Sequence, residues 1–301
     1  MASTALPPPG ENQVYWDVSV LEGGHLVLDI SFFITTASPG TKFGVPCLSF
    51  LLKNSVTKEY FLFDLGVRKD YDNYPPPVKE IFFPTAPCTV PQDVVESLEK
   101  GGVKPTDIKH VCISHLHWDH VGHPPLFSNA TFLLGSEGKT LLSPAYPEDP
   151  TSPYSDDYPK DKTKFLSIHE PGWTPLGPFP HALDYFGDGS LYIIDAPGHV
   201  PGHINALVRT SADGGWIYLA GDSAHHWSLI TGESEIAGTP TGLGRFSGCA
   251  HEKKEVAAEN MRRVRELTKM PRVRVILAHD EPWYKENKGG NAFWPGKLPS
   301  L

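Results

Sequence analysis

An α/β fold, two packed β-sheets flanked by helices, is the expectation from three features of the 301-residue chain. Runs rich in Val, Ile, Leu and Phe recur in both halves and read as strands. A helix-like segment stands near the end of each half. His and Asp cluster where several of the apolar runs stop. The whole chain, 1–301, is read as one domain with residues 1–12 flexible.

In the first half, residues 24–35, 45–53 and 59–64 predict three strands, the last two joined as a hairpin by Asn54 and Ser55. Residues 67–91 are aromatic and proline-rich and read as a surface loop. A helix is expected over 91–100, with Pro at its first turn and Gly101-Gly102 ending it. A buried strand follows at 108–113, then a short strand at 131–134, a helical turn at 137–142 and an irregular excursion over 143–164.

In the second half, strands are expected at 191–194, 204–209 and 216–220, followed by a Gly-rich irregular stretch over 223–249. Residues 251–269 predict the clearest helix, with Ala257, Met261, Val264 and Thr268 as its apolar stripe. A last strand at 273–278 leads to His279.

Composition narrows the class. The hydrophobic content of 40 % and charged content of 20 % are those of an ordinary globular protein. A formal net charge of −9 argues against a nucleic-acid partner. No apolar run approaches membrane-spanning length, and residues 1–10 lack an apolar leader core. The four cysteines are widely spaced, which fits neither a disulfide framework nor a thiolate metal site. A soluble cytoplasmic protein acting on a small molecule is the expectation.

The segment 114–120 reads Ser-His-Leu-His-Trp-Asp-His. Imidazole and carboxylate are the groups that bind a divalent ion such as zinc. If the strand ran through them, His115 and His117 would share a face. A turn after Trp118 would bring Asp119 and His120 to a second ion. Such a hexapeptide arises by chance in roughly one chain of this size in a thousand, which favours a metal site over solvated histidines. Three further places end a strand with a suitable side chain: His199 within the Gly- and Pro-rich run 195–203, Asp222 after Gly221, and His279.

Taken in order, HLHWDH, PGHVPGH, GD and AHD resemble the metallo-β-lactamase superfamily, and most closely its N-acyl homoserine lactone lactonase-like branch. Asp64-Leu65-Gly66 is similar to the family's Asp-x-Gly turn. The resemblance implies an αββα sandwich of two mixed β-sheets flanked by helices. It implies two Zn2+ ions, or other divalent metals. His115, His117 and His199 would hold the first, Asp119, His120 and His279 the second, and Asp222 both. Asp64 would brace the metal loop, and His203 would be structural. Lactonases of this branch commonly carry Tyr three residues after the bridging Asp, where this chain has His225.

The expected reaction is opening of a cyclic ester or amide by a hydroxide shared between the ions, with Asp119 or His225 passing the proton. Thioester hydrolysis of the glyoxalase II type is the alternative, and a non-enzymatic metal-braced binding protein a third reading. Tyr15, Trp16, Phe83, Trp173, Trp227, Phe246 and Trp283 are candidate pocket walls, and Trp118 is read as wall or packing.

Overall fold

Period-two alternation along the strands sorts apolar residues onto two faces, and two sheets result. The computed structural model describes residues 5–238 and 249–301. Phe246 lies outside the described residues. The first sheet contains β1 (Trp16–Asp29), β2 (Lys42–Asn54), β3 (Tyr60–Phe63), β4 (Cys88–Thr89), β5 (Ile108–Cys112), β6 (Thr131–Gly135) and β7 (Thr163–Leu166), in the order β4-β1-β2-β3-β5-β6-β7. The second contains β8 (Trp173–Leu176), β9 (Phe179–Asp184), β10 (Leu191–Asp195), β11 (Ile204–Arg209), β12 (Trp216–Leu219) and β13 (Val273–Ile276), in the order β13-β12-β11-β10-β9-β8.

Both sheets are mixed, as expected. β1, β2 and β3 pair antiparallel, whereas β3, β5, β6 and β7 run parallel. The second sheet is antiparallel from β8 to β12 and parallel between β12 and β13. Helices α1 (Phe83–Thr85), α2 (Val94–Glu99), α3 (Trp227–Thr231), α4 (Lys254–Thr268) and α5 (Glu281–Asn287) complete the fold.

One face of each sheet meets the other: Val20, Phe50 and Phe63 pack with Leu191, Ile193, Ala206 and Leu219. The opposite faces are covered by helices. α2 sets Val94 and Leu98 among Leu51, Leu62 and Val111, while α4 sets Met261, Val264 and Leu267 among Ile194, Leu207 and Tyr218. Each fully buried aliphatic side chain contributes about 1.5–3 kcal/mol, so α4 is held chiefly by this one face. The layers are α, β, β, α.

Several elements differ from expectation for local reasons. β1 begins at Trp16 rather than residue 24, because the Gly23-Gly24 pair makes a bulge inside one strand instead of a break before it. That strand ends at Asp29, whose carboxylate accepts from Ser31 N–H and starts a 3-10 turn. α2 begins after Asp93, whose carboxylate accepts from Glu96 N–H while Glu96 caps it in return, so Pro91 stays outside.

The stretch 67–91 is more than a loop. It holds a 3-10 turn at Tyr71–Asn73, a π turn at Val78–Phe82, α1 and β4, with Tyr74 and Val78 buried. The 3-10 turn Ser136–Leu142 answers to the expected helical turn, and β7, β8 and β9 were not foreseen. In α4 Leu267 is buried and Thr268 exposed, so the stripe ends one residue early. α4 also starts at Lys254, which leaves His251 outside the helix. Among the described residues, no helix is long and apolar enough to cross a membrane.

Candidate metal centre

β3, β5, β10, β12 and β13 each end beside the same opening, because β3 and β5 run parallel, as do β12 and β13, and β10 is two antiparallel steps from β12. The loops that follow them carry all seven ligand candidates. β5 stops at Cys112, so His115 and His117 lie past the strand rather than within it. They converge through the loop instead. At the next loop Gly198, with φ +122°, turns the chain into His199, and an added Cβ there would strike the backbone of Ala257.

His117 Nδ1 lies 3.0 Å from His115 Nε2 and 3.0 Å from His199 Nε2. Asp222 Oδ2 faces this trio, 3.8 Å from His115 Nε2 and 3.6 Å from His199 Nε2. Its other oxygen, Oδ1, faces a second group, 3.4 Å from His120 Nε2 and 3.5 Å from His279 Nε2. Asp119 Oδ2 completes that group at 3.4 Å from His279 Nε2 and 3.8 Å from His120 Nε2. Asp222 thus presents one oxygen to each cluster.

Outer partners set these orientations. Asp64 accepts from Ser114 N–H at 2.6 Å and from the Ser114 hydroxyl at 2.8 Å, and lies 2.9 Å from His120 Nδ1, turning Nε2 inward. His279 Nδ1 donates to the Pro46 carbonyl at 2.8 Å. His203 stands behind Asp222: its Nδ1 donates to Ala196 O at 2.9 Å and its Nε2 accepts from Asp222 N–H at 3.1 Å. Cys47 has its sulfur within 4.8 Å of Asp119 and His279, and burial pushes its thiol pKa up. It is a neutral neighbour.

Electrostatics divides the histidines. Burial presses His115 and His199 well below the usual imidazole range and His117 to about 4, so all three keep a free lone pair. Burial opposes charge in His120 and His279 too, but Asp222 and Asp119 outweigh it and raise both well above the usual range. Burial likewise opposes ionisation of Asp222, which His120 and His279 nevertheless hold well below the carboxylate norm.

The donor set fits divalent ions. The lone pairs of three imidazoles and a carboxylate cannot satisfy each other, and His120 Nε2 and Asp222 Oδ1 are buried without a hydrogen-bond partner. Imidazole nitrogen and carboxylate oxygen together are a donor set that divalent ions take.

A cavity of about 630 Å³ opens above these groups. Leu26, Phe33, Phe82, Trp118 and Tyr154 wall it, and His117, Asp119 and Asp222 face it. Trp118 also packs on Phe83 and Tyr74, in accord with a wall role. None of the six described wall candidates lines this cavity. Trp16 is core, Trp173 and Trp283 pack beside it, and Trp227 donates to Asp280 at 2.9 Å. Phe83 backs Trp118 from behind.

His225 does reach the site, with Nε2 3.1 Å from Asp222 Oδ2. His123 stands apart, near Asp70, and His226 caps α3. Sequence reasoning missed His251, which lines the cavity between His199 and His225. It belongs to no motif and sits beside a helix start, so spacing offered no signal.

Residues 43–210 match the family model described as the metallo-beta-lactamase superfamily. A protein of Penicillium brevicompactum called cytochrome P450 monooxygenase mpaDE' is 31 % identical over 315 residues, covering 97 % of this chain. The chain spans only 36 % of that relative's length. Gamma-lactamase MBL2 of Gibberella moniliformis is 38 % identical over 170 residues, 55 % of this chain and 70 % of that one. The solved structure of a B. thuringiensis AiiA mutant with N-decanoyl-L-homoserine bound superposes with a TM-score of 0.68 at 19 % identity. It covers 94 % of this chain and 99 % of that one, which is a likeness of fold.

Proposed function

The chain belongs to the metallo-β-lactamase superfamily, and from that premise we propose that it is a dizinc hydrolase opening a small-molecule cyclic ester or cyclic amide. Asp222 carries this reading, offering one carboxylate oxygen to each of two histidine clusters at the floor of an apolar cavity. In the proposal His115, His117 and His199 hold one ion, Asp119, His120 and His279 the other, and Asp222 both. The likeness to a gamma-lactamase supports a cyclic amide or its ester counterpart.

When bound, the ions supply Lewis-acid polarisation of the carbonyl and a water acidic enough to ionise near neutral pH. The rest falls to the chain. Asp119 Oδ2 lies 3.4 Å from His279 Nε2 and 3.8 Å from His120 Nε2 and faces the cavity, where its carboxylate would accept the proton of the attacking water. The water oxygen bonds to the carbonyl carbon and the ring C–O or C–N bond breaks. Asp119 then returns the proton to the departing atom. His225 Nε2 lies 3.1 Å from Asp222 Oδ2, beside the carboxylate that faces both clusters. A cyclic substrate suits this floor because both ends of the broken bond remain in one molecule.

The test is a substrate panel of γ-lactone, γ-lactam, thioester and phosphodiester on zinc-loaded protein. Turnover of the lactone or lactam is expected, abolished by chelation and restored by zinc. Turnover confined to the thioester or phosphodiester, or hydrolysis that survives removal of metal, would contradict the proposal.

A further inference from the structure

One cavity histidine has no part in the scheme above. His251 is 1 % exposed, and both its ring nitrogens are shielded from solvent without a hydrogen-bond partner. Its ring centroid lies 5.0 Å from that of His199 and 5.1 Å from that of His225. His225 is similarly unfinished. Its Nε2 faces the Asp222 carboxylate at 3.1 Å, and its Nδ1 is buried with no hydrogen-bond partner.

Buried polar atoms that have given up water without finding a partner are rare in folded chains and call for an occupant. One nitrogen from each of His199, His225 and His251 lies within 4.8 Å of the others. A single oxygen can span a gap of that size with two hydrogen bonds of about 2.7–3.0 Å.

We propose that His251 and His225 form a hydroxyl-binding subsite beside the ion cage, and that the substrate is a cyclic ester or amide bearing a free hydroxyl next to its reacting ring. This rests on the hydrolase reading and narrows it. A hydroxyl alone among simple oxygen groups both donates and accepts. It can therefore pair with His225 Nδ1 and with a nitrogen of His251 whichever of them carries a proton. An ether or carbonyl oxygen only accepts and lacks this freedom. Because His225 is tied to Asp222, the hydroxyl lies close to the bond that breaks. Phe33, whose ring is 4.5 Å from that of His225, offers an aromatic surface to the body that carries the hydroxyl.

The experiment uses zinc-loaded protein with two probes, salicylate and benzoate, flat carboxylates that differ by one neighbouring hydroxyl. Calorimetry measures both with the wild type, His251→Phe and His251→Gln. The wild type is expected to prefer salicylate at least about tenfold, the preference falling to about twofold or less in His251→Phe and being partly kept by His251→Gln. Zinc content is expected to be the same in all three. Equal affinities in the wild type, or a preference that survives His251→Phe, would overturn the proposal. Loss of an ion from His251→Phe would overturn it as well, since His251 would then be a metal ligand. No turnover is read, so a failed hydrolysis panel and a failed subsite give different results.

Discussion

Asp222→Ala is expected to lower kcat/KM on a cyclic ester or amide by more than about a hundredfold, with the fold retained. Losing an outer partner of a metal ligand already costs about 10–100-fold in metal affinity or activity, and Asp222 faces both clusters directly. Its Oδ1 is within 3.5 Å of His120 and His279, and its Oδ2 within 3.8 Å of His115 and His199. Removing it also takes away the carboxylate that outweighs burial in His120 and His279. Both imidazoles then lose their main counter-charge while remaining buried. Circular dichroism should show native secondary structure, and steady-state kinetics should show a collapse of kcat/KM. A loss of less than tenfold would mean that Asp222 is not shared between two ions.

The largest effect on stability is expected from Gly66→Ala. Gly66 has φ +62°, a conformation that costs an L side chain energy, and an added Cβ would sit 2.5 Å from Gly23 O and 2.6 Å from Gly23 Cα. Neither backbone atom can swing aside as a flexible side chain could. Strain and overlap together should cost about 2–4 kcal/mol, or at least about 5 °C in Tm. The turn matters beyond stability, because Asp64 lies two residues away, itself at φ +60°, and aims His120. Thermal unfolding should therefore shift down in Gly66→Ala and metal retention should weaken with it. An unchanged Tm would show that the turn relaxes freely.

The candidate residues that the structure brings together were legible in the chain because they are local. Four stand in one hexapeptide, and the others end strands whose apolar runs are themselves readable, such as 191–194 and 216–219. The Asp64 turn was found for the same reason. The cavity was not legible. Its walls come from β1, the 3-10 turn after it, the π turn at Val78–Phe82 and the excursion around Tyr154, which meet only in three dimensions. Large aromatics drew attention as wall candidates, but Trp16 and its like were taken up by the core, where their buried area stabilises the sheets.

The missed strands have a similar cause. β8 and β9 pair with each other across Thr174↔Ala182, and their mixture of Pro, His and Thr shows little alternation. Their strand character comes from hydrogen bonding, β9 to β10 and β8 to β9, not from their own pattern. β1 was cut short by a glycine pair that in the fold is a bulge. His251 was hidden because the sequence reads it as the first residue of the helix expected over 251–269, whereas the helix starts at Lys254.

Elemental analysis of the purified, zinc-loaded chain tests the paired-ion centre most directly, with Asp222→Ala measured alongside. Two zinc ions per wild-type chain are expected, and fewer than one per chain after dialysis of the variant. A wild-type chain that holds one ion or none, or a variant that still holds two, would contradict the paired centre and the hydrolytic chemistry built on it.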